Sequence, residues 1–492
     1  MTQSSASAHH RIAHGALWAF IASWSKIALS LIAFALIARI IGPEQFGLNT
    51  GAAALVMFGQ VLVGTAAGEV IIQRRELSDA SLSAYLWTLF GIGVLLAVIV
   101  VAVSPWIAHV FDHPQMAPLL LLYSGCIPLT ALQTVPAAML SARLEFKAQA
   151  LAGTVGMTSG CLVGIALALL GAGIWSLGAL QFVQIGVNAA VLWRKCHWTP
   201  AAPRWDEVPA CLRFSSSSVA VRMLDELENQ LPKVFIGGIL GATALGYFGV
   251  SRRIFDLLRD MLLMPLMMVA LPSVAETRSR KEDLGVLLKS ALKASAFIGY
   301  PAFLGLIAVT PTVIPLLFGD SWGDAVVPLQ LMCLLGLLSA VTTFNYAILR
   351  DYNKGAQLIM VAVISTVLMA VSVPIAAQFG LIAAIGAVVL SRYIVLPIQA
   401  LQVQQLGVST WKTQIVSGGP SLLIAVVMSI AVAALRQALD DVLAPLLLLV
   451  ICITAGAMIY LALSALFTRT ELRYALELVR GRRKQSAQGQ TD

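Results

Sequence analysis

Residues 40–48 read IIGPEQFGL, and residues 239–247 read ILGATALGY. Laid over each other, they place Gly42 on Gly241 and Gly47 on Gly246, an offset of 199. Each stretch separates two long apolar runs. Further matches follow in the same order. AML at 138–140 matches AIL at 347–349, an offset of 209, and KAQ at 147–149 matches KGAQ at 354–357. Gly178-Ala179 then matches Gly386-Ala387. Glycine-rich apolar sequences match readily by chance, so the ordered series, not any single match, argues for duplication of one unit.

Outward from these stretches, apolar runs fall at 16–38, 47–69, 84–104, 116–138, 150–170, 172–193, 214–240, 243–272, 290–309, 325–348, 356–377, 381–403, 413–435 and 444–467. The breaks at 171–173 and 378–380 are the shortest. Each run is long enough to cross about 30 Å of hydrocarbon. The chain is 59% hydrophobic and 11% charged, with mean hydropathy +0.87. Soluble domains carry about 25% charged residues. In lipid the backbone must satisfy its own hydrogen bonds, as helices or as a closed barrel. Continuous runs of this length are helices, because barrel strands are about 10 residues long and alternate.

The expectation is an all-α integral membrane protein with about 14 transmembrane helices. Two pseudo-symmetric six-helix lobes, spans 1–6 and 7–12, precede two C-terminal helices. The expected divisions are an N-lobe at 1–193, a cytoplasmic linker at 194–213, a C-lobe at 214–403, spans 13–14 at 404–467 and a basic tail at 468–492. An even number of spans per unit makes the copies parallel, an arrangement in which transporters place substrate between the halves.

Alternate loops divide the basic residues. The loops containing Arg74, Lys147, Arg204, Arg280, Lys354 and Lys412, with both termini and nearby helix ends, hold 23 Lys and Arg; the opposite side holds Arg39 and Arg436. The positive-inside rule puts the first set, and both termini, in the cytoplasm. The net charge of +8 is thus a topology signal that gives no reason to expect nucleic acid. The tail RGRRK at 480–484 is expected to meet anionic headgroups.

Thirteen charged residues lie within spans, and ten of them fall in spans 7 and 8. Each costs at least about 2.5–3.5 kcal/mol at mid-bilayer, so such groups face a cavity or a partner. Arg222, Asp225, Glu226, Asn229 and Lys233 share one side of span 7, and Arg252, Asp256, Arg259 and Asp260 share one side of span 8. Lys26 lies roughly 15 Å into span 1. The candidate substrate-binding cations are Lys26, Arg222, Arg252, Arg253 and Arg259. Asp225, Glu226 and Asp256 are candidate coupling-ion or ion-pair acids. Structural pairing of Arg222 with Asp225 or Glu226, and of Arg252 with Asp256, is the competing reading. Lys26 has no acid nearby in sequence.

Cys126, Cys161, Cys196, Cys211, Cys333 and Cys452 show no metal-ligand spacing and are expected to be reduced. Catalytic motifs are missing, and the longest cytoplasmic loops hold about 20 residues. No enzyme activity, metal or cofactor is therefore expected. Pro128, Pro136, Pro232, Pro265, Pro301 and Pro374 lie inside spans, where kinks are expected.

ALIARIIGPEQFGLNTGAAALVMFGQVLVGTAAGEVIIQRR at 35–75 resembles the opening helices of bacterial polysaccharide-repeat flippases. These form the Wzx-like branch of the multidrug/oligosaccharidyl-lipid/polysaccharide (MOP) exporter superfamily. IGGILGATALGYFGVSRRIFDLL at 236–258 resembles that family's seventh and eighth helices, and the likeness extends over essentially the whole chain. Members often carry an acid–base pair before the helix 7 glycines; here the pair reads Pro232-Lys233. The resemblance implies a two-lobed, V-shaped MOP-type fold with spans 1, 2, 7 and 8 around a central cavity. It implies an inner-membrane flippase for undecaprenyl-pyrophosphate-linked oligosaccharide, serving lipopolysaccharide or exopolysaccharide biosynthesis. Polysaccharide polymerase, glycosyltransferases and membrane lipids are the partners it suggests.

Three other functions stay open on the residues alone. A multidrug or cation antiporter would want an acidic cavity, whereas the set here is slightly basic. A peptidoglycan lipid-precursor flippase is distinguished by lysis on depletion. A membrane-embedded transferase would need to use intramembrane acids and histidines.

Overall fold

In chain order the helices are α1 (Gln3–Thr65), α2 (Asp79–Val110), α3 (Met116–Ser124), α4 (Cys126–Ala142), α5 (Phe146–Leu169), α6 (Trp175–Cys196), α7 (Val208–Ser279), α8 (Leu284–Phe318), α9 (Val326–Asp351), α10 (Gly355–Ala377), α11 (Leu381–Gln405), α12 (Trp411–Val416), α13 (Gly419–Leu439) and α14 (Pro445–Phe467). The structure, a computed structural model, describes the backbone of residues 3–65, 71, 78–280, 283–352 and 354–468. Side chains are described there except at 3–28, 207–218, 264–273, 275, 340–341 and 415. Polar caps open several helices. Ser78 Oγ accepts from Ser81 N at 3.2 Å ahead of α2. Asp283 Oδ1 accepts from Gly285 N at 2.7 Å ahead of α8.

α1 and α7 contain 63 and 72 residues. At 1.5 Å per residue, neither can be a single crossing of a bilayer about 40–45 Å thick. Each is broken at a glycine, Gly42 (φ 76, ψ 175) in α1 and Gly241 (φ 85, ψ 178) in α7. Only glycine adopts that region of backbone space without strain. The two sharpest breaks are therefore at the repeat-equivalent glycines. Pro136, Pro301 and Pro374 sit inside helices whose backbone stays helical.

Among the described residues, twelve helices are long and apolar enough to cross a membrane. Two of them, Leu29–Thr65 and Val219–Leu263, each contain one of these glycine breaks and so cross twice, giving fourteen crossings. The chain is a multi-pass, all-helical membrane protein. The shortest proposed breaks are real turns, with Gly171 (φ 78), Gly173 (φ 56) and Gly380 (φ 104) between helices. Two spans carry breaks that periodicity does not reveal. Span 4 bends at Gly125 between α3 and α4, and span 13 turns at Ser417–Gly418 between α12 and α13.

The chain divides into two compact units, Met1–Gly246 and Tyr247–Asp492. In the first unit, the halves of α1 and α7 meet at matched residues. A Cβ on Gly47 would overlap the carbonyl oxygen of Ala242, and a Cβ on Gly246 would overlap that of Pro43. At the offset of 199, Pro43 corresponds to Ala242 and Gly47 to Gly246. The contact is thus reciprocal between repeat-equivalent residues.

Loops of the first unit gather at two ends. Trp198 Nε1 donates to Asp79 Oδ1 at 3.0 Å, Ala201 N to Ser83 Oγ at 2.8 Å, and Arg143 Nη1 to Cys196 O at 3.1 Å. These bonds gather the start of α2, the α4–α5 turn and the α6–α7 linker at one end. At the other, His113 Nε2 lies 3.5 Å from Glu44 Oε1, and Gly173 packs on Gln45. In the second unit, Arg278 donates to Asp351 Oδ2 at 2.9 Å and lies over the Tyr352 ring, 4.4 Å from its centroid. The last two spans pack on α8 through Phe297, Tyr300, Met428 and Tyr460. Tyr460 Oη donates to Phe297 O at 2.9 Å.

Candidate functional site

The part of α7 beyond Gly241 holds half of the predicted site residues: Arg252, Arg253, Asp256 and Arg259. Residues 252–260 lie about 16–28 Å along the helix from that kink, within the candidate span Val219–Leu263. Their i, i+3 and i, i+4 spacing puts them on one face. Arg252 Nε lies 2.9 Å from Asp256 Oδ2, and Arg259 Nη1 lies 3.0 Å from Asp256 Oδ1. Arg259 Nη2 also reaches Asp260 Oδ1 at 2.9 Å. Asp256 is therefore shared by two guanidinium groups.

Phe255 organises this cluster and escaped the reading of charges alone. Its ring is 2% exposed and sits 5.7 Å from the ring of Phe303. The guanidinium carbons of Arg252 and Arg259 lie 5.9 and 5.8 Å from its centroid. A cation over an aromatic face is stabilised by the ring quadrupole, more so where water is excluded. A sequence signal existed, since Phe255 falls between the two arginines at i+3 and i−4.

Exposure rises along the face. The Arg252 side chain is 16% exposed, Arg259 36% and Asp260 45%. Arg252 is the member most committed to its aspartate. Arg259 presents more of its fork, and Arg253 is exposed on an adjacent face. Arg252, Arg253 and Arg259 against Asp256 and Asp260 leave this segment one positive charge in excess.

The other predicted residues lie in the first unit. Arg222 is exposed, while Asp225 and Glu226 are half-buried. Glu226 Oε1 accepts a hydrogen bond from Gln230 Nε2, and Asn229 Nδ2 donates to Asp225 O at 2.9 Å. The side chain of Lys26 lies outside the described residues, as do the placements of Glu69, Arg74 and Arg75. Five cysteines are free and buried, while the Cys211 side chain lies outside the description. Among the described residues no cluster of three metal-ligating side chains occurs.

Comparison with known proteins supplies the context. The chain is similar to the lipopolysaccharide biosynthesis protein WzxC of Escherichia coli (strain K12), 29% identical over 337 residues, 66% of this chain and 67% of that protein. It is similar to the succinoglycan biosynthesis transport protein ExoT of Rhizobium meliloti (strain 1021), 27% identical over 484 residues, 96% of each chain. Among solved structures, the lipid II flippase MurJ in an inward closed conformation matches with a TM-score of 0.74 at 16% identity. That match covers 92% of this chain and 99% of that one. A multidrug resistance MATE transporter of the MOP superfamily matches at 0.57 and 14%, covering 77% and 94%. These likenesses show the MOP-type fold. A family model described as polysaccharide biosynthesis protein matches residues 36–327, more than half of the chain, and the chain belongs to that family.

Proposed function

We propose that this protein is a flippase that moves undecaprenyl-pyrophosphate-linked oligosaccharide repeat units from the cytoplasmic to the periplasmic leaflet of the bacterial inner membrane. It would do so by alternating access, with both termini cytoplasmic, and would perform transport rather than catalysis. The observation that carries this reading is the cluster of Arg252, Arg259 and Phe255 inside a membrane span of a polysaccharide-biosynthesis family member. Guanidinium forks match phosphate oxygens geometrically and remain charged at any physiological pH. A pyrophosphate would trade places with Asp256 and Asp260 on Arg259, while the glycan follows a polar path and the lipid tail stays in the bilayer. Repeat lobes at 1–193 and 214–403 are the bodies proposed to move. The names of the relatives, which speak of lipopolysaccharide and succinoglycan biosynthesis, support the substrate class.

The test is genetic and chemical together. Deleting the gene should remove one surface polymer and leave undecaprenyl-linked repeats accumulating inside, and the wild-type gene should reverse both. Lysis on depletion would instead indicate a peptidoglycan precursor. Unchanged polymer and no accumulated intermediate would reject the proposal.

A further inference from the structure

One cavity in the first unit is polar, uncharged and unused by the charge cluster. It is open-sided and offers about 400 Å³, within the range of about 300–1,000 Å³ typical of small-molecule sites. Thr130, Gln133, Thr134, Ser141, Gln149 and Asn188 supply its polar lining. Gln149 Nε2 donates to Ala137 O and to Ser141 Oγ, both at 2.6 Å, which fixes that amide against the wall. Gln133 Oε1 is buried and, among the described residues, has no hydrogen-bond partner. An acceptor hidden from water without a donor is costly, and a rotation of the Gln133 amide into the cavity it lines would let a ligand hydroxyl or amide N–H remove that cost.

The second repeat explains why the space exists. The turn after α4 is closed by Glu145 N donating to Leu140 O at 2.9 Å, and the turn after α9 by Lys354 N donating to Leu349 O at 3.0 Å. Both give the offset of 209 seen in the AML and AIL matches. At that offset Ala137 corresponds to Tyr346; at the offset of 199, Gly64 corresponds to Leu263. The first repeat thus carries small residues at Gly64 and Ala137 where the second carries bulk. Gly64, Ser141, Gln149 and Asn188 lie towards the span ends that the charge count assigns to the cytoplasm, where substrate is loaded.

We infer that this cavity is a subsite for an uncharged sugar residue of the lipid-linked oligosaccharide, recognised through its hydroxyl or acetamido groups. Among the described residues no charged side chain lines the cavity, so they offer an anion no counter-charge there, and the polar wall does not suit a lipid tail. The inference rests on the flippase reading and narrows it: the arginine cluster takes the pyrophosphate, and this cavity takes part of the glycan.

Full-length protein in lipid nanodiscs tests it with two probes. One is the undecaprenyl-linked oligosaccharide extracted from cells lacking the gene, and the other is undecaprenyl pyrophosphate without sugars. Gln133→Leu, the isosteric Thr134→Val and the space-filling Ala137→Tyr should each weaken binding of the glycan-bearing probe about tenfold. They should leave binding of the sugar-free probe unchanged, which also shows that each variant is folded. Arg259→Ala should weaken both probes. Undiminished glycan binding in the cavity variants, or equal loss of both probes in all three, overturns the subsite. If the wild-type protein binds neither probe, the flippase reading itself fails.

Discussion

Gly47→Ala is a severe test of the reciprocal contact between α1 and α7. A methyl group there would overlap Ala242 O and come 2.7 Å from Ala242 C and 2.8 Å from Gly246 N. Carbon atoms rest at about 3.5–4.0 Å, so the two helices would have to separate by about 1 Å. Overpacking of this kind costs about 1–3 kcal/mol. Alanine regains about 1 kcal/mol of helix propensity over glycine. With the clash falling on backbone, which puts the cost at the top of that range, the balance is a net loss of about 2 kcal/mol, seen as a fall in Tm of about 2 °C for the 492-residue chain in detergent. Gly246→Ala, which strikes Pro43 O, should cost a similar amount. The two contacts share one interface, so the first substitution opens space for the second. The double variant should therefore lose less than the sum, by about 0.5 kcal/mol or more. An unchanged Tm in either single variant, or strict additivity in the double, would refute the reasoning.

Gly42→Ala and Gly241→Ala meet nothing within 4 Å, so any loss comes from the backbone alone; about 1–3 kcal/mol is expected from thermal unfolding, and no loss would mean that the breaks relax. Arg259→Ala should leave the protein in the membrane and weaken pyrophosphate binding about tenfold or more, with Arg259→Lys restoring only part of it. If Arg252 serves only to neutralise Asp256, the double variant Arg252→Ala with Asp256→Ala should export polymer as well as Asp256→Ala alone, the control for the second pair of Asp256 with Arg259, and lower export in the double would assign Arg252 to substrate. Reporter fusions after Lys147, Arg213 and Arg483 should report cytoplasm, and fusions at Asp112 and Asp320 periplasm. A periplasmic signal after Arg213 would overturn the charge count. Cysteines placed near Gly42 and Gly241 should crosslink in one state and block transport, and an active crosslinked protein would exclude the rocking mechanism.

The glycine framework was legible because it obeys local rules. A backbone break at Gly42 or Gly241 needs a residue free of Cβ, and the repeat marks both positions. The pairs of Arg252 and Arg259 with Asp256 were legible through i, i+3 and i, i+4 spacing, which fixes faces without knowledge of neighbours. Phe255 was harder to find, since an aromatic in an apolar run reads as lipid-facing or core until its neighbours are known. The cavity beside Gln133 could not be read at all. It consists of missing volume, and Ala137 reports a void only when α1, α5 and α6 are placed around it. The bends at Gly125 and Gly418 were hidden for a related reason, because hydropathy averages over a turn that keeps its residues apolar.

The duplicated framework also bears on why the charges are there. At the offset of 199, Arg252, Arg253, Asp256, Arg259 and Asp260 correspond to Ala53, Ala54, Met57, Gln60 and Val61. The first copy builds the same kinked pair of spans with no charge at any of those five places. The six-helix unit therefore does not need these ions in order to fold. Inserting them carries a cost in the bilayer, and their mutual pairing offsets that cost without explaining it. Alanine and methionine at the same depth would carry no such cost. The cavity's lining differs between the copies in the opposite sense, small at Gly64 and Ala137 in the first and large at the corresponding Leu263 and Tyr346 in the second. Two copies that share a backbone but divide charge and space between them are what a substrate with one ionic end and one neutral, hydroxylated end would select.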